Sequence, residues 1–399
     1  MRDAARLRLF DTLVAARIGR ALPEAAPLAK LAVDAPGRIR ALVATVRATE
    51  VDDIALAGCV TAGSVIVPVA LLAAAERDCD SDALLRAIVA GYEAMVGFAA
   101  AIGGATILYR GIWPTLAAAP IGAAAVAGSL ARLDRQAMLS ALALAIGRSP
   151  WWLDRGLPRW LQLGHAAADG VAAAQAAEAG FTAPASVIDG WANASGVTVD
   201  PALLAPGAVP KIHQIECKTF PTARQGLSAI QAFMRLHADR PVGPTDRIEI
   251  ALPGVYRAMV GGTTMPAERI GSMLSAAYQM ALAVHAPERM FDAVHTPPCN
   301  DPAIADFLTR VVVTEDAALD ALYPRQWGAR VTIVGAEART CEVLSPEGGA
   351  DHPFGWTELA AKAASLALGL GLPATHFEAL QDSIRKDVRP GDLLTLALS

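Results

Sequence analysis

Aromatic side chains are scarce: Phe, Trp and Tyr together make up 5% of the 399 residues, although 54% of the chain is hydrophobic. Alanine fills the gap, and a core made of small side chains favours closely packed helices. Long basic runs are missing too, with 34 Lys and Arg against 39 Asp and Glu for a net charge of −5. That balance excludes nucleic acid as an expected partner but leaves room for a local anion site. The five cysteines, Cys59, Cys79, Cys217, Cys299 and Cys341, are odd in number and form no CxxC pair. They read as reduced thiols of a cytoplasmic protein. The N-terminal MRDAARLRLFDTLVAARIGRAL carries charges throughout and lacks the apolar centre of a signal peptide. Two charge-free runs, 54–75 and 111–131, are long enough to suggest membrane spans. Both contain proline and several glycines and lack aromatic belts, so they are expected to be buried helices, with no membrane partner. There is no P-loop, no G-x-G-x-x-G after a strand, no H-E-x-x-H and no G-x-S-x-G elbow.

At this length the chain fits two domains. Leu7, Phe10, Leu13, Val14 and Ile18 share one face of a helix over 6–20. The segment 91–108 predicts another helix, ended by Gly103-Gly104, and Pro114 opens the next. Arg110 stands between these two apolar segments, which predicts a loop deep in the bundle. A buried guanidinium needs an anionic partner, either an acid of this chain or a bound carboxylate. Glu50, Asp52 and Asp53 precede the apolar run 54–75. They suit either capping of the following helix or a polar cavity. Trp151, Trp152 and Trp160 bracket a charged loop beside Arg155 and Arg159, as a pocket wall or as cover for the bundle end. His165 lies in the helix 161–180 and reads as a polar surface or satisfied core residue before an acid or base. Lys218 and Arg224 precede a helix N-terminus, where donors and dipole favour an anion. After Pro241 the character changes. RIEIALP, VVVTED, ARVTIV and TCEVLS predict strands, with a helix over 270–285 between them.

The string GYE at 91–93, YRGIWPT at 109–115, the Ala/Gly-rich helix ending near LARLD, and FDTLVAARIG near the N-terminus resemble the MmgE/PrpD family. The resemblance implies a mainly α fold, with a large all-helical domain built from N- and C-terminal parts and a smaller α/β lid. The expected domains are 1–238, 239–345 and a C-terminal return over 346–399. It also implies a homodimer that uses no metal or nucleotide cofactor and acts on a small carboxylic acid by removing or moving a proton next to a carboxylate.

Matched residue by residue, the resemblance assigns substrate binding to Arg110, Trp113, Thr115, Arg159, Gln162, Arg224, Ile54 and Val60. Acid and base candidates are Lys218, Tyr278, Glu50 and Asp53, with Asp52 as a further carboxylate. The cations are expected to share one cavity. Several proton carriers of the family are replaced: Val60, Trp113, Gln162 and Leu227 occupy histidine positions, and Ile54 replaces a hydroxyl. A pocket so changed should take a less polar acid than a citrate-type dehydratase does. The reading is a cofactor-independent lyase of dehydratase type, in specialised biosynthesis. The alternatives are an isomerase, epimerase or cyclase using the same proton abstraction, or an inactive relative that binds a carboxylate.

Overall fold

The computed structural model describes residues 1–148, 157–295 and 300–398. The loop residues Trp151, Trp152 and Arg155, and Cys299, lie outside the described residues. The protein is mainly helical and divides into two compact units. One comprises residues 1–216, 355–363 and 375–399, and the other 217–354 and 364–374.

The first unit is built on α1 (Arg2–Gly19), α2 (Ala35–Ala48), α3 (Gly63–Glu76), α4 (Ser81–Ala101), α5 (Pro114–Leu130), α6 (Arg135–Ile146) and α7 (Leu157–Glu178). Local chemistry fixes their starts. The carboxylates of Asp34, Asp80 and Asp134 accept hydrogen bonds from the amides of Gly37, Ala83 and Ala137, capping α2, α4 and α6. Pro114 takes the first position of α5, where a missing N–H costs nothing. Helix α5 lies against α4 and α7, and small residues let the backbones close up. A Cβ on Gly170 of α7 would sit 2.2 Å from the Pro120 carbonyl oxygen of α5, so only glycine fits this crossing. The run 111–131 becomes the buried helix α5, whereas the run 54–75 is helical only from Gly63, as α3, its first residues forming a short strand and a turn. Among the described residues α4 alone is long and apolar enough to cross a membrane, and most of it is packed in the core.

Arg110 departs from expectation. It is exposed, and its guanidinium donates to the Gly196 carbonyl oxygen at 2.8 Å. The apolar neighbours Ile112 and Trp113 turn inward instead. Hydrating a charge avoids a desolvation cost of several kcal/mol, so a loop with one cation and two large apolar side chains buries the latter.

The second unit contains a four-stranded sheet of β3 (Arg247–Leu252), β4 (Val311–Glu315), β5 (Ala329–Val334) and β6 (Arg339–Val343), in the order β4-β3-β5-β6. The strands β1 (Ile54–Ala55) and β2 (Ile215–Glu216) form a two-residue antiparallel ladder in the first unit. In the four-stranded sheet, β4 runs parallel to β3 and the other pairs are antiparallel. Ile248, Ile250 and Leu252 alternate inward on β3, and Ile248 pairs with Ile333 and Ile250 with Val331 across to β5.

Helix α8 (Arg224–Asp239) packs on β5, β6 and α9 (Ala276–His285). Its buried Leu227, Ile230, Phe233 and Leu236 cover the sheet, which places α8 in this unit. The division therefore falls between Glu216 and Cys217, not at 238, and the C-terminal segment is shared between the units. The helix expected over 270–285 is also two, Arg269–Leu274 and α9. Ser275 adopts extended backbone between them and its hydroxyl caps the Tyr278 amide.

Candidate functional site

The turn after α2 carries three acids into the interior, and the structure gives them different partners. Arg47, at the end of α2, pairs with Glu50 at 3.0 Å and with Asp52 at 3.3 Å. Glu50 takes a positive φ of 55° to make this turn. Burial alone would pull the Arg47 guanidinium down, but Asp52 and Glu50 more than offset it and hold its pKa above the ordinary arginine value. The other face of this group is aromatic. The Arg47 guanidinium lies 6.0 Å from the Trp113 ring centroid, and that of Arg159 lies 3.6 Å from the same ring. Trp113 thus holds two buried cations by their attraction to its π-face.

Asp53 is built differently. Its Oδ1 accepts the Gly63 amide at 2.8 Å and its Oδ2 accepts the Tyr92 hydroxyl at 2.5 Å. Gly63 opens α3, so the carboxylate sits at a helix N-terminus. A Cβ on Gly63 would lie 2.7 Å from Thr12 Oγ1, 2.9 Å from Asp53 Oδ2 and 2.9 Å from the Tyr92 hydroxyl oxygen. Three oxygens from three elements therefore converge where any other residue would place carbon.

Burial pushes the Asp53 carboxyl up to about 6, with a smaller push from Asp11, while Arg8, the Tyr92 bond and the Gly63 amide pull the other way. Burial, then the Asp53 charge, raises the Tyr92 phenol well above its ordinary range, so Tyr92 keeps its proton and donates it. Behind this pair, Lys362 Nζ contacts Asp11 Oδ1 at 2.7 Å and the Val51 carbonyl oxygen at 2.8 Å.

Other residues assigned to binding fall around this turn. Ile54 and Val60 are both buried, Ile54 pairing with Glu216 and Val60 with Ala55. Thr115 Oγ1 accepts the Thr61 amide at 3.3 Å. Gln162 is half-buried, and its enclosed Oε1 accepts no hydrogen bond among the described residues. His165 is exposed, with burial and then Arg40 lowering its pKa.

In the second unit, Lys218, Arg224 and Tyr278 are all buried. The Ala223 amide and the Thr222 hydroxyl both donate to the Met273 carbonyl oxygen, at 3.0 and 3.1 Å. This double tie sets the start of α8, with Arg224, beside the segment leading to Tyr278. Arg224 donates to the Trp327 carbonyl oxygen at 3.4 Å, where Ser228 Oγ also donates at 2.7 Å.

The sequence reading missed Arg8, Asp11, Thr12, Arg47, Gly63, Tyr92 and Lys362. Asp11-Thr12 offered a signal, being a polar pair among the apolar residues of α1. Tyr92 offered only its place in GYE, and Lys362 is brought back from more than 300 residues away.

A helical core that holds a buried carboxylate of raised pKa, joined in the chain to a smaller α/β unit with buried cations, defines a mainly α protein of two compact units. The chain matches the MmgE/PrpD N-terminal domain over residues 40–201 and the MmgE/PrpD C-terminal domain over residues 220–385. It belongs to the MmgE/PrpD family, whose activity is in general of the dehydratase or lyase type. No curated protein matches it.

Proposed function

We propose that this protein is a cofactor-independent lyase that eliminates water from a small, comparatively apolar carboxylic acid, with Asp53 as the base. The observation that carries this reading is the division of labour among the three acids. Arg47 claims Glu50 and Asp52, whereas Asp53 is left near neutrality by burial, the range in which a general base works best. In such an elimination the carboxylate takes a proton from the carbon next to the substrate carboxylate. The C–H electron pair becomes the new double bond, and the hydroxyl on the adjacent carbon leaves as water, carrying the proton that Asp53 has taken up. Charge developing on the substrate carboxylate needs cations, for which Arg159 is the candidate of the first unit. Trp113, Ile54 and Val60 replace polar groups with apolar surface and favour an acid with fewer oxygens. Lys218 and Tyr278 are the acid/base candidates of the second unit, and Arg224 a further cation.

The test incubates the protein with a panel of 3-hydroxy carboxylic acids of increasing apolar size and follows the ultraviolet absorbance of the new conjugated double bond. Turnover abolished by Asp53→Asn, with Lys218→Ala and Tyr278→Phe reporting on the second unit, supports the reading. Turnover that survives Asp53→Asn rejects Asp53 as base. The loss of family histidines at Val60 and Trp113 favours one alternative, an epimerase that returns the proton to the same carbon. It would show solvent deuterium in recovered acid and no double bond.

A further inference from the structure

Tyr92 has no role assigned to it, yet it is fully buried and gives its one hydrogen bond to the group read above as the base. We propose that Tyr92 is the positioning residue of Asp53, setting through its hydroxyl both the aim of the carboxylate and the pH range over which it can accept a proton. The proposal rests on the reading of Asp53 as base. Its own support is geometric. The groups facing Asp53 are Arg8 and Asp11 from α1, the Gly63 amide from α3 and Tyr92 from α4, with Lys362 behind on Asp11. Oδ1 is fixed by a backbone amide, so Oδ2 is the oxygen a side chain can tune, and Tyr92 holds it at 2.5 Å.

A donor bonded to the charged form favours ionisation, while burial favours the proton. The two oppose each other across one contact. Remove the donor and burial gains ground, so at neutral pH a larger share of the carboxyl holds its proton and cannot take one from a substrate. The missing side chain at Gly63 keeps this contact open, because a methyl there would meet both oxygens.

The experiment is an infrared titration of the intact protein, with the Asp53 carboxyl band identified by its loss in Asp53→Asn. In Tyr92→Phe the midpoint is expected to move upward by roughly one pH unit, a tenfold gain in proton affinity. Site-specific replacement of Tyr92 by a fluorotyrosine, isosteric and a stronger donor, is expected to move it downward. This second variant keeps the test alive if Tyr92→Phe folds poorly. A midpoint unmoved in the fluorotyrosine protein overturns the proposal, since a merely structural tyrosine would leave it there. No substrate is needed. Shifted midpoints without any turnover in the hydroxy-acid panel would uphold the pairing and reject the lyase, and where turnover exists the acidic limb of kcat/KM must move with the infrared midpoint.

Discussion

At the residue scale, Asp53 is a costly choice for stability. Its folded pKa of about 6 lies above the ordinary aspartate value of 3.8, so the folded state binds the proton more tightly than the unfolded chain does. The sign follows by linkage: the penalty is present in full above pH 6 and is relieved as pH falls through 6 toward 4. It amounts to roughly 3 kcal/mol at most at neutral pH. Asn at this position carries no such penalty, and its amide can still accept from Gly63 while Tyr92 accepts from it. Asp53→Asn should therefore lose turnover while its stability relative to the wild type improves by about 1.4 kcal/mol between pH 5 and 7.5 in urea unfolding. A stability difference that is flat with pH would show that Asp53 ionises as an ordinary surface carboxylate does. Sequence alone brought Glu50, Asp52 and Asp53 forward together, but which acid Arg47 would take depends on a turn with φ of 55° at Glu50. Local sequence contains no such information about partner geometry.

At the element scale, α3 depends on its first residue. A methyl at Gly63 must displace Thr12, Asp53 or Tyr92, because all three contacts fall below 3.0 Å. Gly63→Ala is expected to cost about 1–3 kcal/mol in urea unfolding and to break the Tyr92 hydrogen bond, detected as loss of the fixed Asp53 infrared band. An unchanged band and midpoint would show that the start of α3 has room to spare. The strands were the most legible elements, since alternation at Ile248, Ile250 and Leu252 is read directly from residue type. Helix α8 was legible as a helix but not as part of the second unit, because its partners on β5 and β6 lie about a hundred residues on. The Arg110 loop was misjudged for a related reason. Apolar flanks signal burial of their own side chains, and a long cationic side chain can leave the core even where its neighbours cannot.

At the scale of the whole molecule, the order of motifs already resembles the family, and matches over residues 40–201 and 220–385 establish it. Site chemistry was less legible because it is assembled from distant segments. Lys362 returns to Asp11, and Tyr92 reaches Asp53 from α4. The resemblance also implies pairing of two copies, which predicts a particle of about twice 41.3 kDa in sedimentation velocity at micromolar concentration. A single species at the mass of one chain would contradict it.

Proton abstraction by Asp53 is most directly tested by deuterium exchange. The protein is incubated in deuterium oxide with the hydroxy-acid panel, and proton NMR follows the C–H next to each carboxylate. Exchange or elimination should occur on at least one acid with the wild type, and should vanish with folded Asp53→Asn. Deuterium entering that position equally fast in both proteins would contradict it.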